Sequence, residues 1–195
     1  MISNLVGRLS GKGSSNFDVY LEQGRIELEA RDFHKAVEYL GKAFKEAEGR
    51  RPSKRSLQWA HIYAGKAEYS LRNYSESEKH FDLAIQIDPK FPTAWYSKGC
   101  SLMEQKSYEK AFKHFEKAYE LNTGFDDALA SMGDALFAMG EFERAVEKYR
   151  MLLEVKPNSK YAPAQIEKVM ERMRQREEDK KNARDKKWME GILKK

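Results

Sequence analysis

The stretch Ala94–Asn122 reads AWYSKGCSLMEQKSYEKAFKHFEKAYELN, and its pattern recurs along the chain. The glycine in it, Gly99, has counterparts at Gly24, Gly65 and Gly133, and the successive intervals are 41, 34 and 34 residues. A repeat period of about 34 residues with this composition is typical of one helix–turn–helix unit per repeat. The spacing therefore predicts four units of two helices each.

Residues of the same kind follow each glycine at fixed offsets. Nine residues on there is an aromatic residue: Phe33, Tyr74, Tyr108 and Phe142. Twelve residues on there is a small one: Ala36, Ser77, Ala111 and Ala145. Sixteen residues on there is a bulky one: Leu40, Phe81, Phe115 and Tyr149. The small residues predict two closely packed antiparallel helices, and the bulky ones are expected to fill the space between neighbouring units. Since one unit cannot bury its own apolar face, the units must stack.

On these residues the chain resembles the tetratricopeptide repeat (TPR) family. The best-matched unit carries, at the family's spacing, Trp95, Gly99, Tyr108, Ala111, Phe115 and Ala118. The tryptophan place holds other residues in the remaining units: Tyr20, His61 and Leu129. The resemblance covers roughly residues 17–159. It implies an all-α fold, a right-handed α-α solenoid of four TPR helix–turn–helix units closed by a C-terminal capping helix.

The repeat pattern also divides the chain. Residues 1–16 are expected to form a flexible or short capping segment, followed by repeats at 17–50, 58–91, 92–125 and 126–159. The seven extra residues of the first interval predict a lengthened, solvated connection with a basic insertion at 51–57. The alternative for this stretch is a basic docking or regulatory loop. Four cations lie in or beside it: Arg50, Arg51, Lys54 and Arg55.

Residues 160–195 are predicted to form the capping helix and a charged tail. An apolar stripe at helical spacing supports the cap: Ile166, Val169, Met170 and Met173. Beyond Met173 a continued helix has almost no apolar residue to bury, until an apolar cluster appears: Trp188, Met189, Ile192 and Leu193. This cluster is either incidental tail composition that packs back on the helix, or a docking element for a partner, a second copy or this chain's own groove.

Charge and composition indicate a soluble protein without a broadly basic face. The net charge of +5 arises mainly from the two ends of the chain and from the insertion. No apolar run of about eighteen residues is present, and the N-terminus lacks an extended apolar stretch, so a cytoplasmic location is expected. The single cysteine, Cys100, agrees with a reducing compartment.

Catalysis, metal binding and cofactor binding are not indicated. The four histidines, His34, His61, His80 and His114, form no pair spaced four residues apart and no metalloprotease motif. His80 and His114 occupy equivalent places, but neighbouring helices about 8–10 Å apart hold side chains too far apart for one metal. We therefore expect no catalytic residues, no metal, no cofactor and no enzymatic activity.

By resemblance, the first helices of the units line a concave peptide-binding groove. The groove residues that follow from the family's spacing are Leu21, Arg25, Ile62, Tyr63, Lys66, Tyr69, Tyr96, Cys100, Met103, Asp134 and Phe137. For Tyr69, Met103 and Phe137 a core position is the equal alternative. Exposure to the groove is expected for Ile62, Lys66 and Tyr96. The lining is aromatic and aliphatic with a few charges, which suits an amphipathic helix or an extended apolar peptide.

These residues predict a non-catalytic protein-interaction scaffold that binds a peptide or amphipathic helix of another protein. The clamp with which some family members hold heat-shock chaperone tails is disfavoured, because its positions here are Leu21, Arg25, Tyr63, Thr93 and Ser97, too few of them donors to a carboxylate. One alternative is binding of RNA or an anionic surface by the basic C-terminal segment. Another is self-association or autoinhibition through the Trp188 cluster.

Overall fold

The computed structural model describes residues 15–49 and 51–193, with side chains described to Met189. The predicted segment 1–16 lies, apart from its last two residues, outside this part. The described chain is helical and divides into two compact units, with the boundary in the sequence between Thr123 and Gly124. The first contains α1 (Asn16–Glu29), α2 (Phe33–Gly49), α3 (Lys54–Ser70), α4 (Tyr74–Ile87), α5 (Pro92–Glu104) and α6 (Tyr108–Leu121). The second contains α7 (Asp126–Met139), α8 (Phe142–Val155) and α9 (Tyr161–Leu193). The predicted all-α class is confirmed.

Four helix hairpins account for most of this structure. In the first unit α1 packs on α2, α3 on α4 and α5 on α6, while α2–α3 and α4–α5 contacts join successive hairpins. The first helices also contact one another, α1 with α3 and α3 with α5. In the second unit α7 packs on α8, and α8 on α9. Each of the four repeated glycines lies on the first helix of one hairpin.

Each hairpin turns at a residue seven positions after its glycine. Arg31, Arg72, Lys106 and Gly140 have φ angles of 63°, 64°, 60° and 79°. Their backbone N–H groups donate to carbonyls three residues earlier, at 2.9 to 3.1 Å. The left-handed conformation reverses the chain, and only Gly140 adopts it without a steric cost from Cβ.

The anchor glycines let the two helices of a hairpin approach. A Cβ at Gly99 would lie 2.5 Å from Cε1 of Phe115, and one at Gly24 would lie 2.5 Å from Cγ of Leu40. The bulky residue therefore packs first against the glycine of its own hairpin. This adds to the expectation that it fills the space between units, for which the shared core cluster of Phe81 and Ala94 of the next hairpin is an example.

The seven extra residues lengthen two helices instead of a loop. Helix α2 has 17 residues where α4, α6 and α8 have 14, and α3 has 17 where α5 has 13. Four residues separate α2 from α3, as four separate α4 from α5. The predicted lengthened connection is therefore wrong, and Lys54 and Arg55 stand on an N-terminal extension of α3 that Ser53 caps.

Helix α9 begins as a packed cap and continues as a solvated helix. Ala162 and Val169 are buried, as expected for a cap, whereas Met170 of the predicted stripe is 47% exposed. From Arg174 to Met189 the side chains are exposed. Helical pairs such as Lys180–Glu177, at 2.6 Å, support this part without burial. No helix in 15–49 or 51–193, α9 included, carries an apolar stretch that could span a bilayer.

Candidate functional site

The candidate site of the first unit is the layer formed by its three first helices, α1, α3 and α5. On α3 the side chains Trp59, Tyr63 and Lys66 recur at three- and four-residue intervals, so they share one helix face. Each is partly exposed. The rings of Trp59 and Tyr63 stack with centroids 5.4 Å apart. This face therefore offers aromatic surface followed by a cation.

Lys66 is the cation of this face that has no counter-charge. Its side chain is partly buried, and burial lowers the pKa of its ammonium below the ordinary value of 10.5. Within the described residues the ammonium forms no hydrogen bond and no ion pair, although the backbone carbonyl of Lys66 accepts from the Ser70 hydroxyl. The Cys100 thiol of α5 is close enough to influence it electrostatically. A partly desolvated ammonium of this kind is well placed to receive an anionic group from a ligand.

Arg25, on α1, is already engaged. Its guanidinium binds Glu22, with Nη2 2.5 Å and Nε 3.0 Å from the two carboxylate oxygens, and it also pairs with Glu29. The hydrogen bond with Glu22 raises the pKa of Arg25 above its ordinary value. Of the two predicted groove cations, Lys66 is thus the one without an internal partner.

Three further predicted groove residues, Tyr69, Tyr96 and Met103, lie on α3 and α5. Tyr69 donates a hydrogen bond to Oε1 of Glu104 at 3.3 Å, and burial, reinforced by Glu104, raises its pKa to about 12. Tyr96 packs with its ring 5.5 Å from that of Phe115. Three side chains here are partly exposed, and therefore neither fully buried nor fully solvent-exposed: Tyr69, Tyr96 and Met103.

Ile62 is not part of this surface. Its side chain is fully buried and packs with Phe81, Ala84 and Ala94. The predicted exposure of Ile62 is wrong. Its side chain, three residues before the glycine, packs toward the second helix of the hairpin, α4. Leu21 likewise packs beside a core cluster, formed by Phe17, Ala43 and Ala60.

In the second unit, side chains of helix α9 contact the predicted groove residues of α7, Asp134 and Phe137. The Asp134 carboxylate accepts hydrogen bonds from the hydroxyls of Tyr149, at 2.7 Å, and Tyr161, at 2.6 Å. The Lys168 ammonium lies 5.1 Å from the centre of the Phe137 ring. Asp134 therefore serves an internal network that ties α9 to the α7–α8 hairpin.

The predicted docking cluster is described only in part. Trp188 is 69% exposed and Met189 is 53% exposed. The side chains of Ile192 and Leu193 lie outside the described residues. Docking by this cluster stays a prediction.

Sequence reasoning missed Trp59, which extends the aromatic face of α3 by one turn. It lies six residues before Gly65, the same offset at which Thr93 precedes Gly99. That offset is one of the clamp positions, so the same spacing rule applied to the second repeat, the one with Gly65, identifies Trp59.

His61 and His80 lie on the two helices of one hairpin and pack against Phe44 of the preceding hairpin. The Nδ1 atoms of His61 and His80 lie 3.1 Å apart, a hydrogen bond in which one ring donates to the other. Phe44 stacks on both, with centroid distances of 4.7 and 5.5 Å. At the equivalent places of the next hairpin, Trp95 packs against His114. The histidines are therefore packing residues of the hairpins.

Acidification is expected to destabilise the first unit through this pair. Burial, reinforced by His80, lowers the pKa of His61 from 6.5 to about 4, and burial also lowers that of His80. The charged groups around His80 are Glu68, Glu76 and Lys79. As the pH falls below about 6.5 the unfolded chain binds protons first, so the stability contribution is complete above that pH and is lost toward pH 4.

The measurement is urea unfolding of the full chain from about pH 7.5 to about pH 4.5. His61→Trp, which reproduces the Trp95–His114 pair, should lose less stability over this range than the original chain. Parallel pH profiles for the two proteins would contradict the assignment.

Comparison with known proteins agrees with this geometry. Sequence profiles of the tetratricopeptide repeat match residues 21–90, 63–124 and 102–166. No curated protein matches the chain by sequence.

Three solved structures illustrate the shared fold. YrrB, a TPR protein with an unusual peptide-binding site, has 18% identity and a TM-score of 0.63 over 82% of this chain and 78% of its own. MamA from AMB-1 has 18% identity and a TM-score of 0.63 over 84% and 92%. The second TPR domain of human RPAP3, in complex with the HSP70 peptide SGPTIEEVD, has 18% identity and a TM-score of 0.58 over 60% and 98%. With the profiles covering more than half of the residues, this chain belongs to the tetratricopeptide repeat family.

Proposed function

We propose that this protein is a non-catalytic interaction scaffold that binds a peptide or amphipathic helix of a partner protein on the α1–α3–α5 layer. The observation that carries the proposal is the face of α3, where partly exposed aromatic rings lead to the unpaired ammonium of Lys66. Aromatic side chains supply contact area at low entropic cost, and a partly desolvated cation fixes the position of an acidic group.

The ligand we propose differs from a chaperone tail held by a carboxylate clamp. The clamp places on this chain include Leu21, Tyr63 and Thr93, which provide no cation, and Arg25, which is already bound to Glu22 and Glu29. The HSP70 peptide bound by the RPAP3 domain supports peptide binding by this fold, but at 18% identity it does not identify a ligand for this chain.

RNA binding by α9 is less favoured. Its cations alternate with carboxylates and several are paired along the helix, such as Arg174 with Glu171 at 2.7 Å and Lys180 with Glu177 at 2.6 Å. A helix whose charges pair in this way presents no continuous basic stripe to a phosphate backbone. We propose a cytoplasmic location, with which the single cysteine, Cys100, agrees.

Tyr96→Asp is expected to weaken peptide binding at least about tenfold, because it removes an aromatic contact and places a carboxylate beside the binding face. Peptides are first selected by display against the full chain, and their affinities are then measured by fluorescence anisotropy. Tyr119→Asp, on α6 in the second-helix layer, is the matched control and should leave affinity unchanged. Equal affinity of the original chain and Tyr96→Asp would contradict the proposed surface.

A further inference from the structure

The lengthened start of α3 forms one wall of a cavity of about 460 Å³. Its apolar part is made by Trp59, Ile87 and Phe91, and its rim carries Lys54 and Arg55. The volume is within the range of pockets that hold a bulky side chain with its neighbours. In the hairpins without the insertion the first helix begins about one turn later, so these two rim residues have no equivalent there.

The floor of this cavity is held rigidly. Gln58 is 4% exposed, and its Nε2 donates to the carbonyl oxygens of Ala84 at 3.2 Å and Asp88 at 3.5 Å, which ties α3 to the end of α4. The Trp59 and Phe91 rings meet edge to face with centroids 5.1 Å apart. A preformed aromatic floor lowers the entropic cost of receiving an apolar side chain.

The rim has an excess of positive charge. Lys54 and Arg55 are exposed, and neither forms an ion pair with any residue that the structure describes. Both lie in the first turn of α3, where the helix dipole also favours an anion. The one carboxylate of the cavity, Asp88, accepts a hydrogen bond from the backbone N–H of Lys90 at 2.9 Å. The rim is therefore complementary to an acidic ligand.

We propose that this cavity recognises a partner segment in which a large apolar residue is flanked by acidic residues. The apolar side chain packs on the floor formed by Trp59, Ile87 and Phe91, and the flanking carboxylates pair with Lys54 and Arg55. The inference rests on the proposed function, since Trp59 stacks on Tyr63 and so joins the cavity to the face that leads to Lys66.

The test uses three labelled synthetic dodecapeptides and the full chain. The first has a Leu-Phe centre between glutamates, the second has the same centre between lysines, and the third has an Ala-Ala centre between glutamates. Fluorescence anisotropy should detect binding of the first and at least about tenfold weaker binding of the other two, because both the anchor and the charges contribute.

Charge reversal at the rim separates the cavity from the rest of the surface. The double variant Lys54→Glu, Arg55→Glu should lower the affinity for the first peptide at least about tenfold. It should bind the second, lysine-flanked peptide more tightly than the first. Lys110→Glu, an exposed cation on α6, is the matched control and should change neither. Trp59→Ala should remove binding of the first peptide, and thermal unfolding is measured beside it because Trp59 packs on a core cluster.

The outcomes distinguish this inference from the proposed function. Equal affinity for glutamate- and lysine-flanked peptides, or unchanged affinity after the rim reversal, overturns the inference. If peptides selected by display still depend on Tyr96 but not on Lys54 and Arg55, the proposed function stands and the inference fails. If display against the full chain yields no binding peptide, both fail.

Discussion

Gly99→Ala is expected to lower the free energy of unfolding by about 2 kcal/mol, although alanine is the better helix former by about 1 kcal/mol. The new Cβ would lie 2.5 Å from Cε1 and 2.6 Å from Cδ1 of Phe115. That ring is 1% exposed and belongs to the core of the hairpin, so it cannot swing into solvent. The helices must separate or the ring must leave its rotamer, and either change loses packing.

Gly41 provides the matched control for this prediction. It lies in the interior of α2, and nothing approaches within 4 Å of the Cβ that alanine would add. Gly41→Ala should therefore raise the free energy of unfolding by about 0.5–1 kcal/mol, the helix-propensity difference alone. Both variants are compared with the original chain by urea unfolding. A gain of stability in Gly99→Ala similar to that in Gly41→Ala would show that the close approach does not constrain the hairpin.

The glycines illustrate why so much of the fold is predictable from the sequence. Each anchor needs a missing side chain and a bulky partner sixteen residues later, and this requirement leaves a visible period. The left-handed turn residue seven places after the glycine leaves no recognisable pattern in the sequence. Three of the four are Arg31, Arg72 and Lys106, which have no preference for that conformation. It is set by the packing of the two helices, which overrides local propensity.

The insertion shows a second limit. Gly49 and Pro52 are helix-breaking residues that favour a loop. One helix does end at Gly49, but the extra residues lengthen that helix and the start of the next, which begins at Lys54. Adding residues to a helix costs less than ordering an irregular loop, because each new residue gains a backbone hydrogen bond. The same argument explains α9 beyond Met173, where the helix continues although the side chains from Arg174 to Met189 are exposed.

The sequence allows the helices that form the candidate site to be predicted, but not the individual side-chain contacts within it. Spacing assigned a groove role to Lys66, which is partly exposed on α3, and the same role to Ile62, which is buried in the core. Neighbouring places on a helix differ by about 100°, so an offset carried over from a family separates surface from core poorly at the edge of a stripe. The engagement of Arg25 by Glu22 and Glu29 likewise depends on side-chain geometry.

Asp134→Ala is expected to lower the free energy of unfolding by about 2–3 kcal/mol. Asp134 accepts the Tyr149 hydroxyl at 2.7 Å and the Tyr161 hydroxyl at 2.6 Å. Tyr149 is fully buried, and burial together with the hydrogen bond to Asp134 raises its pKa above the ordinary value of 10.0. Without Asp134 its hydroxyl would lose this acceptor in the interior, whereas Tyr161, 42% exposed, can bind water instead.

A double-mutant cycle measures the coupling between Asp134 and the Tyr149 hydroxyl, and the sign of the effect of Tyr149→Phe is expected to differ between the two backgrounds. Adding Tyr149→Phe to Asp134→Ala should recover stability, because it removes the hydroxyl that the first change left unpaired. In the original chain the same Tyr149→Phe substitution should lower stability, since it breaks a made hydrogen bond. Asp127→Ala, an exposed carboxylate on the same helix, should change the free energy of unfolding by at most about 0.5 kcal/mol. If Tyr149→Phe lowers stability equally in both backgrounds, Asp134 is not the acceptor that stabilises the α7–α8–α9 unit.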